Sequence, residues 1–241
     1  MKRIRLKWFA ILSGLSVFLG TGPAQAVTFT EGNDAGERLE DAISVFSEQT
    51  SPLDSISGVL SGDADLFQIF LTGGQQFSAT TLNPDTLLGI PIDNTLGNPN
   101  DLLGDPQLFL FDALGNGIYA SDDSFGSSQA TLPSLGFSPV ESGIYFLGIS
   151  GFDVDPISAG GEIFPDQPAN AAVGPTGSGG GAPLIGFAGQ SSSSGRYTIS
   201  LTGAQTIAAP ASVPEPAALL GLLAVGALGL ASQTNNVIQK S

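Results

Sequence analysis

The chain contains no cysteine and no histidine, one methionine, one tryptophan, and only seven basic residues in 241. Each shortage removes some chemistry. Without Cys an oxidising compartment adds no disulfides to the fold. Without Cys and His there are no zinc sites of the Cys/His kind, no haem or iron–sulfur ligation, and no His-based catalytic triad. Four of the seven basic residues (Lys2, Arg3, Arg5 and Lys7) crowd the first seven positions, and none occurs between Arg38 and Arg196. Lys240 is the one Lys beyond residue 7, which leaves no candidate for a Schiff-base lysine in the body of the chain.

The N-terminus has the order of an export signal. The four cations form a positive n-region, Trp8 to Gly20 is an apolar h-region, and Ala24-Gln25-Ala26 is an A-x-A cleavage site. The apolar run is short for a bilayer span and ends in Gly-Thr-Gly-Pro. Cleavage between Ala26 and Val27 by a signal peptidase, after delivery by the export machinery, is the expectation. The remaining 215 residues carry all 22 acidic groups against Arg38, Arg196 and Lys240, a formal charge of −19. Such a surface repels nucleic acid and anionic lipid, because both require clustered cations. Its own repulsion is relieved either by bound divalent metal or by plain solvation.

Between Leu53 and Gly203 the pattern is one of short strands. In Arg196 to Thr202, apolar side chains at Tyr197, Ile199 and Leu201 alternate with polar ones, placing all three on one buried face. Phe67, Ile69 and Leu71 do the same within Asp65 to Thr72, and Gly73-Gly74 then predicts a hairpin into Gln76 to Leu82. Gln107 to Asp112 is apolar on both faces and predicts a central strand, turned by Ala113 to Gly117 into Ile118 to Ser121. Further strands are expected at Leu53–Leu60, Ser128–Leu132, Gly143–Ser150 and Leu184–Ala188. Eight or nine short strands with regular turns predict an all-β, antiparallel sandwich of jelly-roll type.

The flanks read differently. Residues 27–52 are a lead-in, in which Asp34 to Val45 is a short helix or an irregular segment. Asn83 to Pro106 is a long loop with four Asp. Residues 158–195 are a Gly/Ser/Pro-rich insertion, with Gly177-Ser178-Gly179-Gly180-Gly181 at its middle, too poor in apolar surface to offset its ordering entropy and therefore expected to be a mobile linker. After a linker at 204–212, residues 213–241 open with Val213-Pro214-Glu215-Pro216 and continue with Ala217 to Ala231, fifteen residues without a polar side chain. Ala and Leu predict a helix there, of roughly 22 Å at about 1.5 Å per residue, short of the roughly 30 Å hydrocarbon core. Transient membrane contact is expected of it, since it lacks the polar face of a surface helix.

Two resemblances follow from these residues. Pro214, Glu215 and Pro216, with the apolar segment behind them, resemble the PEP-CTERM sorting signal of Gram-negative bacteria, although the tail Ser232 to Ser241 offers only Lys240 where that family carries an Arg-rich cluster. The resemblance implies export, a stay in the inner membrane, and processing by an exosortase-type enzyme. The second covers Leu53 to Gly203: Gly62-Asp63-Ala64-Asp65-Leu66-Phe67, Asp105 to Asp112, Ser121-Asp122-Asp123 and the strands 143–149 and 195–201 resemble the bacterial pre-peptidase C-terminal domain. This implies a jelly-roll sandwich, with calcium bound in some members. No peptidase domain accompanies it here.

The acidic residues are the one remaining source of chemistry. Asp63, Asp65, Asp105, Asp112, Asp122 and Asp123 lie at expected strand ends with Asn116 in a turn, and calcium takes six to eight oxygens from such loops. Asp and Asn also cap turn N–H groups and need no metal for that. The loop after Asp112 lacks the ligand spacing of an EF-hand. Paired carboxylates can hydrolyse glycosides, but Trp8 is the sole Trp and lies in the signal, so no aromatic sugar platform is evident. Gly174 to Gly181 has no Lys of the phosphate-loop kind, and Ser191 to Ser194 has no base. The expectation is a non-enzymatic exported envelope or extracellular-matrix protein; a polysaccharide-binding or polysaccharide-active protein, or an accessory subunit of a secreted enzyme, is the alternative.

Overall fold

The computed structural model describes residues 25–82, 102–124, 126–166, 171–191 and 193–210. The segment up to Ala24 in which an export signal is expected, most of the Asn83–Pro106 loop, and the Pro214-Glu215-Pro216 segment with its apolar stretch lie outside them. Among the described residues there is no helix long and apolar enough to cross a membrane.

Sixteen strands, seven of them only two to four residues long, build the described part. One five-stranded sheet runs in the order β1 (Val27–Thr30), β4 (Leu53–Leu60), β14 (Gly195–Thr202), β6 (Phe77–Thr81), β9 (Thr131–Phe137). The other runs β15 (Ala204–Gln205), β5 (Ala64–Leu71), β10 (Gly143–Gly151), β7 (Pro106–Phe111), β8 (Gly117–Ser121), with β2 (Ile43–Ser44) also paired to β5. The period-2 faces meet between them: Ile56, Phe77, Ala79, Ile199 and Leu201 of the first sheet pack with Phe67, Ile69, Leu71, Leu108, Leu110 and Leu147 of the second. This is an all-β sandwich, and it has no helix among the described residues. Asp34 to Val45 is accordingly irregular chain leading into β2, not a helix.

Three expectations are corrected. Gly73-Gly74 does not close a hairpin: β5 and β6 belong to opposite sheets, and the turn carries the chain across the sandwich. The alternation of the flanking strands is the same for a hairpin and for a crossover, so the pattern alone does not separate them. The sheets are not wholly antiparallel, because β1 lies parallel to β4, β2 parallel to β5, and β16 (Ile207–Ala208) parallel to β3 (Phe46–Ser47). These parallel partners all come from the two ends of the chain. The predicted strands at 128–132 and 184–188 are displaced to β9 and to β13 (Gly186–Gly189).

The third correction concerns residues 158–195. Their described part is no mobile linker but a second layer on the outer face of the β5–β10–β7–β8 sheet. Ile163, Phe164, Leu184 and Phe187 pack against Leu66, Phe109, Phe111, Ala120 and Phe146. Phe109 sits at the centre, with ring centroids 5.9 Å from Phe164 and 5.7 Å from Phe187. A strand apolar on both faces therefore has a cover on each, as β7 requires: all six of its residues are buried. β11 (Val154–Ser158) anchors this layer between β12 (Gly161–Glu162) and β13, and Val173 bonds both ways with Ala120, covering the β8 edge. The glycines are there for close approach. Gly177 N–H donates to Ile163 O (3.0 Å), Gly179 N–H to Glu162 O (2.7 Å), and a Cβ on Gly179 or Gly180 would overlap backbone atoms. A few large apolar residues separated by glycine thus outweigh a composition that reads as linker.

Candidate functional site

The hairpin β7–β8 decides which acidic residues meet. Its register pairs Leu108 with Ser121 and Phe109 with Ala120, so Asp105, just before β7, arrives beside Asp122 and Asp123, just after β8. One carboxylate oxygen from each of these three lies within 4.8 Å of the others. Asp112 and Asn116 sit at the opposite end of the same hairpin, roughly 20 Å away at about 3.3 Å per residue. There Asp112 Oδ1 accepts from Leu114 N–H and Asn116 N–H (2.9 Å each), and Oδ2 accepts from the Asn116 amide (2.9 Å). This pair holds the turn. Asp63 Oδ1 accepts from Ser61 N–H at 3.0 Å, also within a turn.

Asp65 is separated from the trio by the sheet itself. It shares parity with Phe67, Ile69 and Leu71 and so points between the sheets, where it has 0 % exposure. Gln107, by contrast, shares parity with Phe109 and Phe111 on the outer face. Its amide donates to Asp155 of β11 (3.4 Å), and Ser150 Oγ donates to Gln107 Oε1 (3.4 Å). The structure thus brings together Asp105, Asp122 and Asp123, adds Asp155 nearby, and leaves Asp63, Asp65, Asp112 and Asn116 elsewhere.

The electrostatics of the trio are those of a site short of positive charge. Asp122 is 9 % exposed, and its Oδ1 is the one buried side-chain oxygen or nitrogen among the described residues without a hydrogen-bond partner. Burial, then the neighbouring Asp105, Asp123 and Asp155, pushes its pKa up to about 7. Asp105 is raised by burial and by Asp123, and Asp155 by burial, partly offset by the Gln107 hydrogen bond. A divalent cation fits this arrangement. Two oxygens each about 2.4 Å from one calcium lie at most about 4.8 Å apart, the donors are hard oxygens, and the orphaned Oδ1 gains a partner. Asp105, Asp122 and Asp123 would hold the ion.

A second constellation was hidden from sequence reasoning, which read Tyr197 as a core residue only. Tyr197 Oη lies 2.7 Å from Asp65 Oδ2 and 3.0 Å from Glu31 Oε2. Asp65 Oδ1 accepts from Ala35 N–H (3.3 Å), and Glu31 Oε1 accepts from Val59 N–H (2.9 Å). Gly58, directly opposite Tyr197 across β4–β14, leaves the room: a Cβ there would collide with the Glu31 carboxylate and the Tyr197 hydroxyl. Gly58→Ala is expected to cost about 1–3 kcal/mol in denaturant unfolding; a change below about 0.5 kcal/mol would show that the pair rearranges freely. The one signal in the sequence was Asp65 itself, an acid on the parity of three core residues.

No protein-family model matches the chain, and no curated protein matches it either.

Proposed function

We propose that this is an exported, non-enzymatic protein of the cell envelope or extracellular matrix, whose sandwich is a binding or structural module carrying calcium at Asp105, Asp122 and Asp123. The observation that carries the reading is the buried, unpartnered Asp122 Oδ1 inside a trio of carboxylates within 4.8 Å. The chain that remains after residue 26 has a formal charge of −19, so a divalent cation relieves repulsion that it has few cations of its own to offset.

Export rests on the n-region, h-region and Ala24-Gln25-Ala26 site, with β1 beginning at Val27, the first residue after that site. The segment from Val213 is proposed as a sorting signal, handled at the inner membrane by an exosortase-type enzyme acting near Pro214-Glu215-Pro216, with the apolar 217–231 stretch as a terminal helix in transient membrane contact. Jelly-roll connectivity belongs to the same proposal, on the resemblance of residues 53–203 to the pre-peptidase C-terminal domain. Extracellular polysaccharide is the proposed partner class outside the cell.

Calorimetric titration of chelator-treated protein at pH 7.5 tests the cation. Saturable calcium uptake that disappears in Asp122→Asn is expected, and a flat trace at millimolar calcium would sink this part of the reading. The mass of the chain recovered from the cell exterior tests export separately. A chain starting at Val27 is expected, and a chain retained in the cytoplasm with Met1 intact would overturn it.

A further inference from the structure

Asp65, Tyr197 and Glu31 share too few protons for their geometry. The Tyr197 hydroxyl has one hydrogen, yet its oxygen stands within hydrogen-bond distance of carboxylates on both sides, 2.7 Å to Asp65 and 3.0 Å to Glu31. With both acids ionised, only one of these contacts has a hydrogen in it, and the other sets a carboxylate against an oxygen lone pair. With one acid protonated, both become hydrogen bonds: Asp65 O–H donates to Tyr197 Oη, and Tyr197 O–H donates to Glu31 Oε2. Asp65 is the acid that holds this proton. It is wholly buried, and burial, then the nearby Glu31 and Asp34, pushes it up to about 7 against the hydrogen bonds from Tyr197 and Ala35 N–H.

The three residues come from three parts of the fold. Glu31 follows β1, Asp65 opens β5 in one sheet, and Tyr197 lies on β14 in the other. The N-terminal segment contributes further contacts: Glu31 N–H donates to Ser57 O (2.9 Å), Phe29 meets the Phe67 ring edge-on at 6.1 Å, and Ala35 is buried in the inter-sheet core. The charged groups facing Asp65 are Glu31 and Asp34 from this segment and the Tyr197 hydroxyl from β14; Glu37 and Asp63 form a second acidic pair beyond them, with Arg38 near Glu37. β4 meets the cluster at Gly58, opposite Tyr197, and through the Val59 N–H that donates to Glu31.

We propose that residues 27–35 are held on the sandwich by a shared-proton latch, Asp65–Tyr197–Glu31, which opens when Asp65 loses its proton. In a mildly acidic medium the segment is pinned and the β4 edge is covered by β1. In an alkaline medium two carboxylates face one hydroxyl, and the segment detaches without the rest of the sandwich unfolding. The latch is independent of the Asp105–Asp122–Asp123 site.

Hydrogen exchange of the whole chain in chelator between pH 5.5 and 8.5, corrected for intrinsic exchange chemistry, tests this. The expected result is a loss of protection of at least about tenfold across residues 27–35 as the pH rises, with the β10 amides unchanged. Asp65→Asn, neutral at every pH and close in shape to the acid, is expected to keep the segment protected throughout; Tyr197→Phe is expected to leave it open throughout. The latch is overturned by flat protection in the unsubstituted chain, by a pH-dependent loss that survives in Asp65→Asn, or by equal loss in β10, which would mean global unfolding. It is also overturned if millimolar calcium at pH 8.5 restores protection in an Asp122→Asn chain, because a cation would then be the true occupant.

Discussion

Phe109→Ala is expected to destabilise the protein by about 3–5 kcal/mol in denaturant unfolding, the largest effect of any single truncation proposed here. Phe109 has 0 % exposure and is packed against Phe164 and Phe187, with Phe111 stacked 6.5 Å away. The ring is the contact by which the second layer grips the sandwich. Its removal leaves a cavity that the described part of the outer layer cannot close, because its path is set by tight glycine contacts at Gly177 and Gly179. The loss is expected to appear first as protease sensitivity between Ile163 and Phe187, ahead of global unfolding. Val140→Ala, at a side chain 95 % exposed, serves as the control and is expected to change stability by less than about 0.5 kcal/mol. A loss below about 1 kcal/mol for Phe109→Ala would mean that the outer layer is held by its own hydrogen bonds and not by this aromatic cluster.

Asp122→Asn is expected to act with opposite signs in two media. The fold raises the pKa of Asp122 from 3.8 to about 7, so the folded state favours the protonated form. The resulting stabilisation is complete below the unfolded value, is lost as pH rises through about 7, and is absent at pH 8. At one pKa unit per 1.36 kcal/mol the full shift corresponds to about 4 kcal/mol, which solvent screening of this carboxyl lowers to about 2–4 kcal/mol. Asn at 122 cannot ionise, so in chelator at pH 8 the variant is expected to unfold at higher denaturant than the unsubstituted chain. With calcium at a thousand times its dissociation constant, the unsubstituted chain gains about 4.1 kcal/mol and the variant does not, and the order reverses. Destabilisation of the variant in chelator would show that Asp122 already has a partner and would remove the argument for the ion. Asp65 adds to the pH effect with the same sign, so the cation-free protein is expected to be more stable at pH 5 than at pH 8.

Part of the site was legible in the chain. The apolar run Leu108 to Phe111 and the turn at Ala113 to Gly117 define a hairpin, and a hairpin brings residues equally distant from its turn together. Asp105 with Asp122 and Asp123 follows from that count, whereas Asp112 and Asn116, expected in the same cluster, were set apart only by the turn they hold together. Nothing comparable linked Glu31 to Tyr197, 166 positions apart. Their meeting depends on β1 lying along β4 and β4 along β14, a pairing of three distant segments that no local spacing encodes.

What the amino-acid order determined by itself is the faces of the strands. Alternation separates Phe67, Ile69, Leu71, Tyr197, Ile199 and Leu201 from their polar neighbours whatever the strands pair with, because successive side chains must point to opposite sides of a pleated backbone. The charge balance and the missing chemistry were equally independent of fold. Only the tertiary structure decided which face met which. It sent β5 and β6 to different sheets across Gly73-Gly74, and it turned the glycine-rich residues after Ser158 into a packed outer layer. It also buried Asp65 against a tyrosine and Asp122 against other acids. The physical reason is the same in each case: these outcomes depend on surface brought together from distant parts of the chain, and its burial is a property of the assembled sheets, not of any segment alone.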